Sequence, residues 1–446
     1  MSEKEQVAAM LRAADVRWVR VLWCDNANII RAKSFNVSQL DSRYIDGVGI
    51  AEAQMALPVM YDAVVPDSGL TPVGEVRLRP DWNTLNVLPY APGQAQVMGD
   101  MVTAGATWPV CPREFLRRQI ARAAEHGLEI VAAFENEFFL LEAGGDGITP
   151  VDETPFASTL AMGQSGAVIN DMVDALEAQG VIVEQYHPEA GPGQHELATR
   201  YCDAMAAADR QIIFRETVRG VALGHGLRAS FLPKPFEHAA GSGCHLHLSL
   251  WRDGKSFTTD PQQPYGLTAE AMAFMAGVLK HLPALMAITT PSINSYRRIQ
   301  PHFWSGAFCV WGMDNREAAL RVPKSPDGGA PSNMELKAVD ASSNPYLALG
   351  AVIAAGLDGV VNQLVPGEPV DVDPGTLSDD VRNASGIAPL PGSLSEALVH
   401  LEKNAVLLEA LGPALAHAFI AVRKAEWGAL KNVSFEEETR LLLEKY

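Results

Sequence analysis

Carboxylates and histidines recur along this chain at a spacing of two. In Val131-Ala-Ala-Phe-Glu135-Asn-Glu137-Phe-Phe-Leu140, Glu135 and Glu137 would share one face of a strand, with Phe134 and Phe138 behind. Strand rise sets their β-carbons about 6–7 Å apart, which suits two different cations better than one chelate. In Gly241-Ser-Gly-Cys-His245-Leu-His247-Leu-Ser249-Leu250, the same alternation gathers His245, His247 and Ser249 against Cys244, Leu246, Leu248 and Leu250. Glu189-Ala-Gly-Pro-Gly-Gln-His-Glu196 is a Gly/Pro loop with a carboxylate at each end, and Glu335 shares a face with Lys337. Taken singly, each segment also reads as a solvated edge, a structural histidine or an ion pair. Together they read as a cation site, because carboxylates inside apolar strands are unfavourable unless something compensates them. Oxygen-dominated ligands suit Mg²⁺ or Mn²⁺ rather than zinc or copper. Two such ions beside a nucleotide fit phosphoryl transfer.

A basic set accompanies them. Arg297, Arg298, Arg316 and Arg321 place four arginines within 25 residues, and guanidinium forks grip carboxylates and phosphates at two points. No Walker-type or Rossmann glycine motif is present, so any nucleotide is held in another way.

The elements that must position these groups fall into two textures. Residues 1–105 are strand-rich, with an apolar run at 16–24 and turn signals at Asp25-Asn26, Asp46-Gly47, Pro66-Asp67 and Ala91-Pro92-Gly93. From Pro112 onward strands alternate with helices: residues 113–126 carry helical periodicity and Gly127 is a natural stop. Asn344-Pro345 opens an apolar helix, residues 366–392 read as a long surface excursion, and Ser393 and Ser434 each precede a glutamate at capping-box spacing. The expected class is α+β, with a small domain over 1–105 and a larger one over 106–446.

Composition narrows the partners. The chain has 446 residues, 53 acidic against 35 basic, and a net charge of -18. That balance speaks against nucleic acid and against an anionic membrane surface. The polar start carries no secretory pattern, and the longest apolar stretch is taken as 346–357, short of a membrane span. Five scattered cysteines without a C-x-x-C pair suit a reduced, cytoplasmic protein.

In this order, the segments resemble the glutamine synthetase family over nearly the whole chain. Lys234-Pro-Phe-Glu-His-Ala-Ala-Gly-Ser-Gly-Cys-His-Leu-His-Leu-Ser249 looks like the family's ATP-region signature. Asn294-Ser-Tyr-Arg-Arg298, Asn315 and Arg316 to Arg321, and Ser343-Asn-Pro-Tyr-Leu-Ala-Leu-Gly also match. The resemblance implies a β-grasp-like N-terminal domain, then a catalytic domain on a curved antiparallel sheet. It implies two hexameric rings stacked as a dodecamer, with active sites between neighbours. It also implies ATP and two or three Mg²⁺ or Mn²⁺ ions per site.

Carried over by position, one metal site would use Glu137, Glu189 and Glu196, the other Glu135, His245 and Glu335. Arg298 would contact the acid substrate, with Glu137 and Gly241 beside it. Arg316 and Arg321 would contact the transferring phosphate. Lys234, His247 and Ser249 would lie near the nucleotide. The implied reaction phosphorylates the side-chain carboxylate of glutamate or a close analogue; an amine then displaces phosphate.

Departures bear on the substrates. The family's flap glutamate falls on Trp304 in Pro301-His-Phe-Trp-Ser-Gly306, and tryptophan takes no proton, which implies an amine larger than ammonia. Ala240 replaces an asparagine, and Lys337 replaces an arginine, which weakens two-point carboxylate recognition there. Asp46-Gly47-Val-Gly-Ile50 resembles the loop whose aspartate binds ammonium across a subunit boundary. Arg382-Asn-Ala-Ser-Gly386 lacks the tyrosine adenylylated in some members. The flap and Val310-Trp-Gly-Met-Asp-Asn-Arg316 look closest to the FluG-like and γ-glutamyl-amine ligase branches. The readings are then a γ-glutamyl-amine ligase, a glutamine synthetase using ammonia, or a silent scaffold of the same fold.

Overall fold

The computed structural model describes residues 1–144, 147–325 and 329–446. Its first sheet has the spatial order Ile30–Asn36, Trp18–Cys24, Gln94–Thr103, Glu75–Val87, Val48–Ala51. The central pair, Trp18–Cys24 with Gln94–Thr103, is parallel, and its outer neighbours are antiparallel. Asn28, Gly47 and Gly93 all adopt positive φ in the turns between these strands, where the left-handed region is open to glycine and tolerated by asparagine.

The second sheet is larger and carries the ligand segments. Its order is Phe308–Met313, Ala318–Val322, Met334–Leu336, Cys244–Arg252, Glu129–Glu142, Gln194–Thr199, Val183–Pro188. It is antiparallel except for Phe308–Met313 with Ala318–Val322, which run parallel across a bulge. The Glu189–Glu196 segment is the turn and second strand of a hairpin rather than an open loop.

Helices cover the back of this sheet. Pro112–Glu125 begins on its proline and ends before Gly127, at φ 68°. Pro345–Val361 is capped by Asn344, whose side chain accepts from the N–H groups of Tyr346 and Leu347. It lies so close to Ala269–Thr289 that a β-carbon at Gly359 would sit 1.9 Å from the Ala273 carbonyl oxygen. Ala269–Thr289, not 346–357, is the longest apolar helix; it is long enough to cross a membrane, and 78% of its most apolar window is buried in the core. The excursion at 366–392 contains a short helix, Asp379–Ala384, that its Pro/Gly/Asp composition did not announce.

The two sheets share one continuous apolar core. Buried Arg113 ties them together, at 2.8 Å from each of Asp81, Asp100 and Asp209. The C-terminal end locks onto both: Tyr446 Oη donates to the Ala27 carbonyl, and Ser230 Oγ of the second sheet donates to the Leu443 carbonyl.

Candidate active site

Register decides which of the polar side chains meet. Glu135 stands opposite His245. Glu137 stands opposite Glu196, which in turn faces His187. Glu335 lies between His247 and Arg321. Opposed residues have β-carbons about 4.5–5.5 Å apart, so these pairings form three short polar rows on one face of the sheet. The leucines of Cys244–Arg252 fill the opposite face and are buried.

Distances follow from the register. His245 Nδ1 lies 3.1 Å from both Glu135 Oε1 and Glu335 Oε1, and His245 Nε2 lies 3.7 Å from Glu137 Oε1. His247 Nε2 lies 3.2 Å from Glu135 Oε2. His187 Nε2 lies 2.9 Å from Glu189 Oε1, and its Nδ1 lies 3.7 Å from Glu196 Oε1. Two groups could each hold an ion, with ligand atoms within 4.8 Å of one another: Glu135 with His245 and Glu335, and His187 with Glu189 and Glu196. Glu137 sits between the groups, its Oε2 accepting from the Gly243 N–H at 3.0 Å and from Gln194 Nε2 at 3.1 Å. Sequence reasoning missed His187, although His187-Pro-Glu189 has the same spacing of two.

The electrostatics are those of a set with more negative charge than its own cations neutralise. Burial, reinforced by Glu135, Glu137 and Glu189, pushes the Glu196 carboxyl up to about 10. Burial raises Glu137 too, with His245 pulling against it. Glu135 goes the other way: burial acts to raise it, but hydrogen bonds to His245 and His247 hold it well below the usual carboxylate range. Glu335 is likewise depressed, burial being outweighed by Lys337 and His245. Opposed, buried carboxylates with two histidines between them match the donor chemistry of hard divalent cations.

The other predicted residues fall in several places. Arg321 Nη1 bonds Glu335 Oε2 at 2.8 Å, and Lys337 Nζ lies 3.3 Å from Glu335 Oε1. Arg298 is buried, its Nη2 donating to the carbonyls of Lys337 at 3.1 Å and Val339 at 2.9 Å. Half-buried Gly241 lies against it: a β-carbon there would sit 2.8 Å from Arg298 Cγ. Ala240 is half-buried in the same loop. Arg316 is exposed, 6.0 Å from the centroid of the Trp304 ring.

Lys234 lies away from these rows. It lines a second cavity with Arg297 and Trp427, and its ammonium stands 4.6 Å from the Phe303 ring. Asp46 is in the turn between the helix Leu40–Arg43 and the strand Val48–Ala51, with its carbonyl held by Arg77 at 2.9 Å. Among the described residues no hydrogen bond or ion pair joins it to the polar rows.

Beside the rows opens a cavity of about 410 Å³, lined by Phe134, Glu135, Tyr201, His247, Ser249 and Trp251 among others. The rings of Tyr201 and Trp251 stand 6.2 Å apart at its apolar part, and Glu135 and His247 border the charged part. A heteroaromatic base fits the first region, and phosphates bridged by cations fit the second.

A cavity of that size beside two groups of side chains that could hold hard cations fits a phosphoryl-transferring ligase. Residues 4–108 match the glutamine synthetase N-terminal domain, and residues 109–441 match the glutamine synthetase catalytic domain. The chain is 40% identical to gamma-glutamylpolyamine synthetase GlnA3 of Streptomyces coelicolor, covering 97% of this chain and 94% of that protein. It is 35% identical to type-1 glutamine synthetase 1 of Dictyostelium discoideum, covering 97% and 90%. A crystal structure of a novel glutamine synthase homolog superposes with a TM-score of 0.86 at 34% identity, over 97% and 99% of the two chains. A GmaS/ADP complex superposes with a TM-score of 0.85 at 31% identity, over 97% and 98%. The chain belongs to the glutamine synthetase family. It is an ATP-dependent carbon–nitrogen ligase that works with divalent metal ions.

Proposed function

We propose that this ligase joins the γ-carboxylate of glutamate to an organic amine, with polyamines the first class to test. The observation that carries the choice of amine is Trp304, an indole where the family's flap has a carboxylate. An aromatic wall favours an alkyl chain and offers a cation–π contact to an ammonium group. The name of the Streptomyces relative supports the same class.

In the first step a γ-carboxylate oxygen bonds to the terminal phosphorus of ATP, and the bond to ADP breaks. In the second, the amine nitrogen bonds to the acyl carbon of γ-glutamyl phosphate, phosphate leaves, and the nitrogen loses a proton. The proposed ligands are Glu135, His245 and Glu335 for one ion, and Glu137, Glu189, Glu196 and His187 around another, both Mg²⁺ or Mn²⁺. Bound there, such ions supply Lewis-acid charge to the phosphoryl oxygens. Arg321 and Arg316 add positive charge on the transferring phosphate, Arg298 orients the acid with Gly241 and Lys337 beside it, and His247 and Ser249 border the nucleotide. Lys234 acts from the flap side.

The reading extends to a dodecamer in which a neighbour's Asp46 completes the amine end. It also takes the chain as two domains, 1–105 and 106–446, and as cytoplasmic, in keeping with five unpaired thiols.

The test is phosphate release from ATP and glutamate across ammonia, n-butylamine, aniline and 1,4-diaminobutane, with product masses. The expected result is a γ-glutamyl amide of an organic amine at the highest kcat/KM. Ammonia as the best acceptor by a wide margin overturns the organic-amine reading and leaves a glutamine synthetase.

A further inference from the structure

The flap carries two non-glycine residues in the left-handed region, His302 at φ 66° and Trp304 at φ 54°. That conformation is sparsely populated and persists where surrounding groups hold it. Two carboxylates do so here. Glu317 Oε1 accepts the Trp304 backbone N–H at 2.9 Å, and Asp373 Oδ2 lies 2.9 Å from His302 Nδ1.

Glu317 is built into place. It is 6% exposed, and its second oxygen, Oε2, is buried without a hydrogen-bond partner. Its own N–H donates to Asn315 Oδ1 at 3.0 Å. Asn315 Nδ2 in turn donates to the carbonyls of Val370 at 2.7 Å and Val372 at 3.0 Å. The turn that presents Glu317 is thus pinned to the segment that presents Asp373. Burial raises the Glu317 carboxyl above its ordinary value, and the Trp304 N–H pulls against that rise. Arg316, next in the chain, faces the Trp304 ring. One turn therefore carries both the flap anchor and an arginine assigned to phosphate.

Resting on the organic-amine reading, we propose that Glu317 is a positioning residue for acceptor choice. By accepting the backbone N–H of Trp304 it fixes where the indole stands against the incoming amine. A carboxylate acceptor makes this a charge-assisted bond, the stronger kind.

The test is a kinetic cycle on the full-length enzyme with E317A, E317Q, W304A and the double variant E317A/W304A. E317A is expected to raise KM for 1,4-diaminobutane about tenfold, the size of one such bond, with KM for ATP and glutamate unchanged. E317Q keeps an acceptor oxygen of the same reach and is expected to recover most of the loss. In the W304A background, E317A is expected to change KM by less than about twofold, because coupled residues are non-additive. Equal changes in all three KM values with a lower melting temperature, or the full effect persisting in W304A, overturns the proposal. If wild type prefers ammonia, the organic-amine reading fails, and the same cycle read with ammonia still decides the anchor.

Discussion

Arg316 and Trp304 face each other, guanidinium carbon to ring centroid, at 6.0 Å. One comes from the turn before a sheet strand, the other from the flap. If the proposed roles hold, the contact puts the residue proposed to choose the amine beside an arginine proposed to meet the phosphate.

Replacing the indole should shift the acceptor. In W304E a carboxylate can hold ammonium and take its proton, and the apolar wall is gone. We expect kcat/KM for ammonia to rise roughly tenfold and that for 1,4-diaminobutane to fall by a similar factor. Phosphate release with each amine measures both. An unchanged ratio would remove Trp304 from acceptor choice.

Glu196 tests the cation bed. E196Q keeps the shape and removes a carboxyl that can release its proton to bind a cation. Wild type at a hundredfold excess of Mn²⁺ over Kd should gain about 2.7 kcal/mol of stability. The variant should bind Mn²⁺ roughly 100-fold more weakly and lose most of that gain. Melting curves with and without Mn²⁺ check this; equal shifts in both proteins would place the ion elsewhere.

Thiol reactivity reports on burial. All five cysteines are unpaired, and burial pushes Cys202 and Cys309 up to about 11. At pH 8 the thiolate fraction of either is on the order of 0.1%. The native chain should react with a chromogenic disulfide reagent over hours, and the denatured chain within minutes. The native rate should rise about tenfold per pH unit above 8 and level off near 11. Rapid labelling of Cys202 or Cys309 at pH 8 would contradict this.

Asp358 gives a pH signature in stability. It lies 2.7 Å from Lys280 Nζ and 2.9 Å from His281 Nε2. Burial acts to raise its pKa, but those two partners hold it below the ordinary aspartate value. A depressed folded pKa stabilises above the unfolded value and is lost as pH falls through the folded one. D358N should therefore lower stability at pH 7 by on the order of 1 kcal/mol, and the difference from wild type should shrink as pH falls below the ordinary aspartate value and through the depressed folded one. A difference that does not change with acidification would mean that packing, not charge, is lost.

Period-two spacing made Glu135, Glu137, His245 and His247 legible, because alternation alone assigns a face. Pro112 and Asn344 were legible as helix starts, because capping is local chemistry. Register was not: that Glu137 meets Glu196 depends on how distant strands align. His187 was passed over because one histidine before a proline carries little weight until Glu196 is set opposite it. Glu317 was invisible for a similar reason, its partner being a flap backbone 13 residues away. The helix at Asp379–Ala384 was missed because a six-residue helix owes its existence to tertiary contact rather than propensity.

The strand Cys244–Arg252 has leucines on one side and ligands on the other. Inserting one residue just before His245 would rotate both histidines into the hydrophobic interior and turn Leu246, Leu248 and Leu250 out towards the substrates. Catalytic equipment and folding stability thus fail in a single event there, so this stretch tolerates almost no length change. The loop that ends at Gly306 lies outside any strand, so a change of side chain there leaves this register intact.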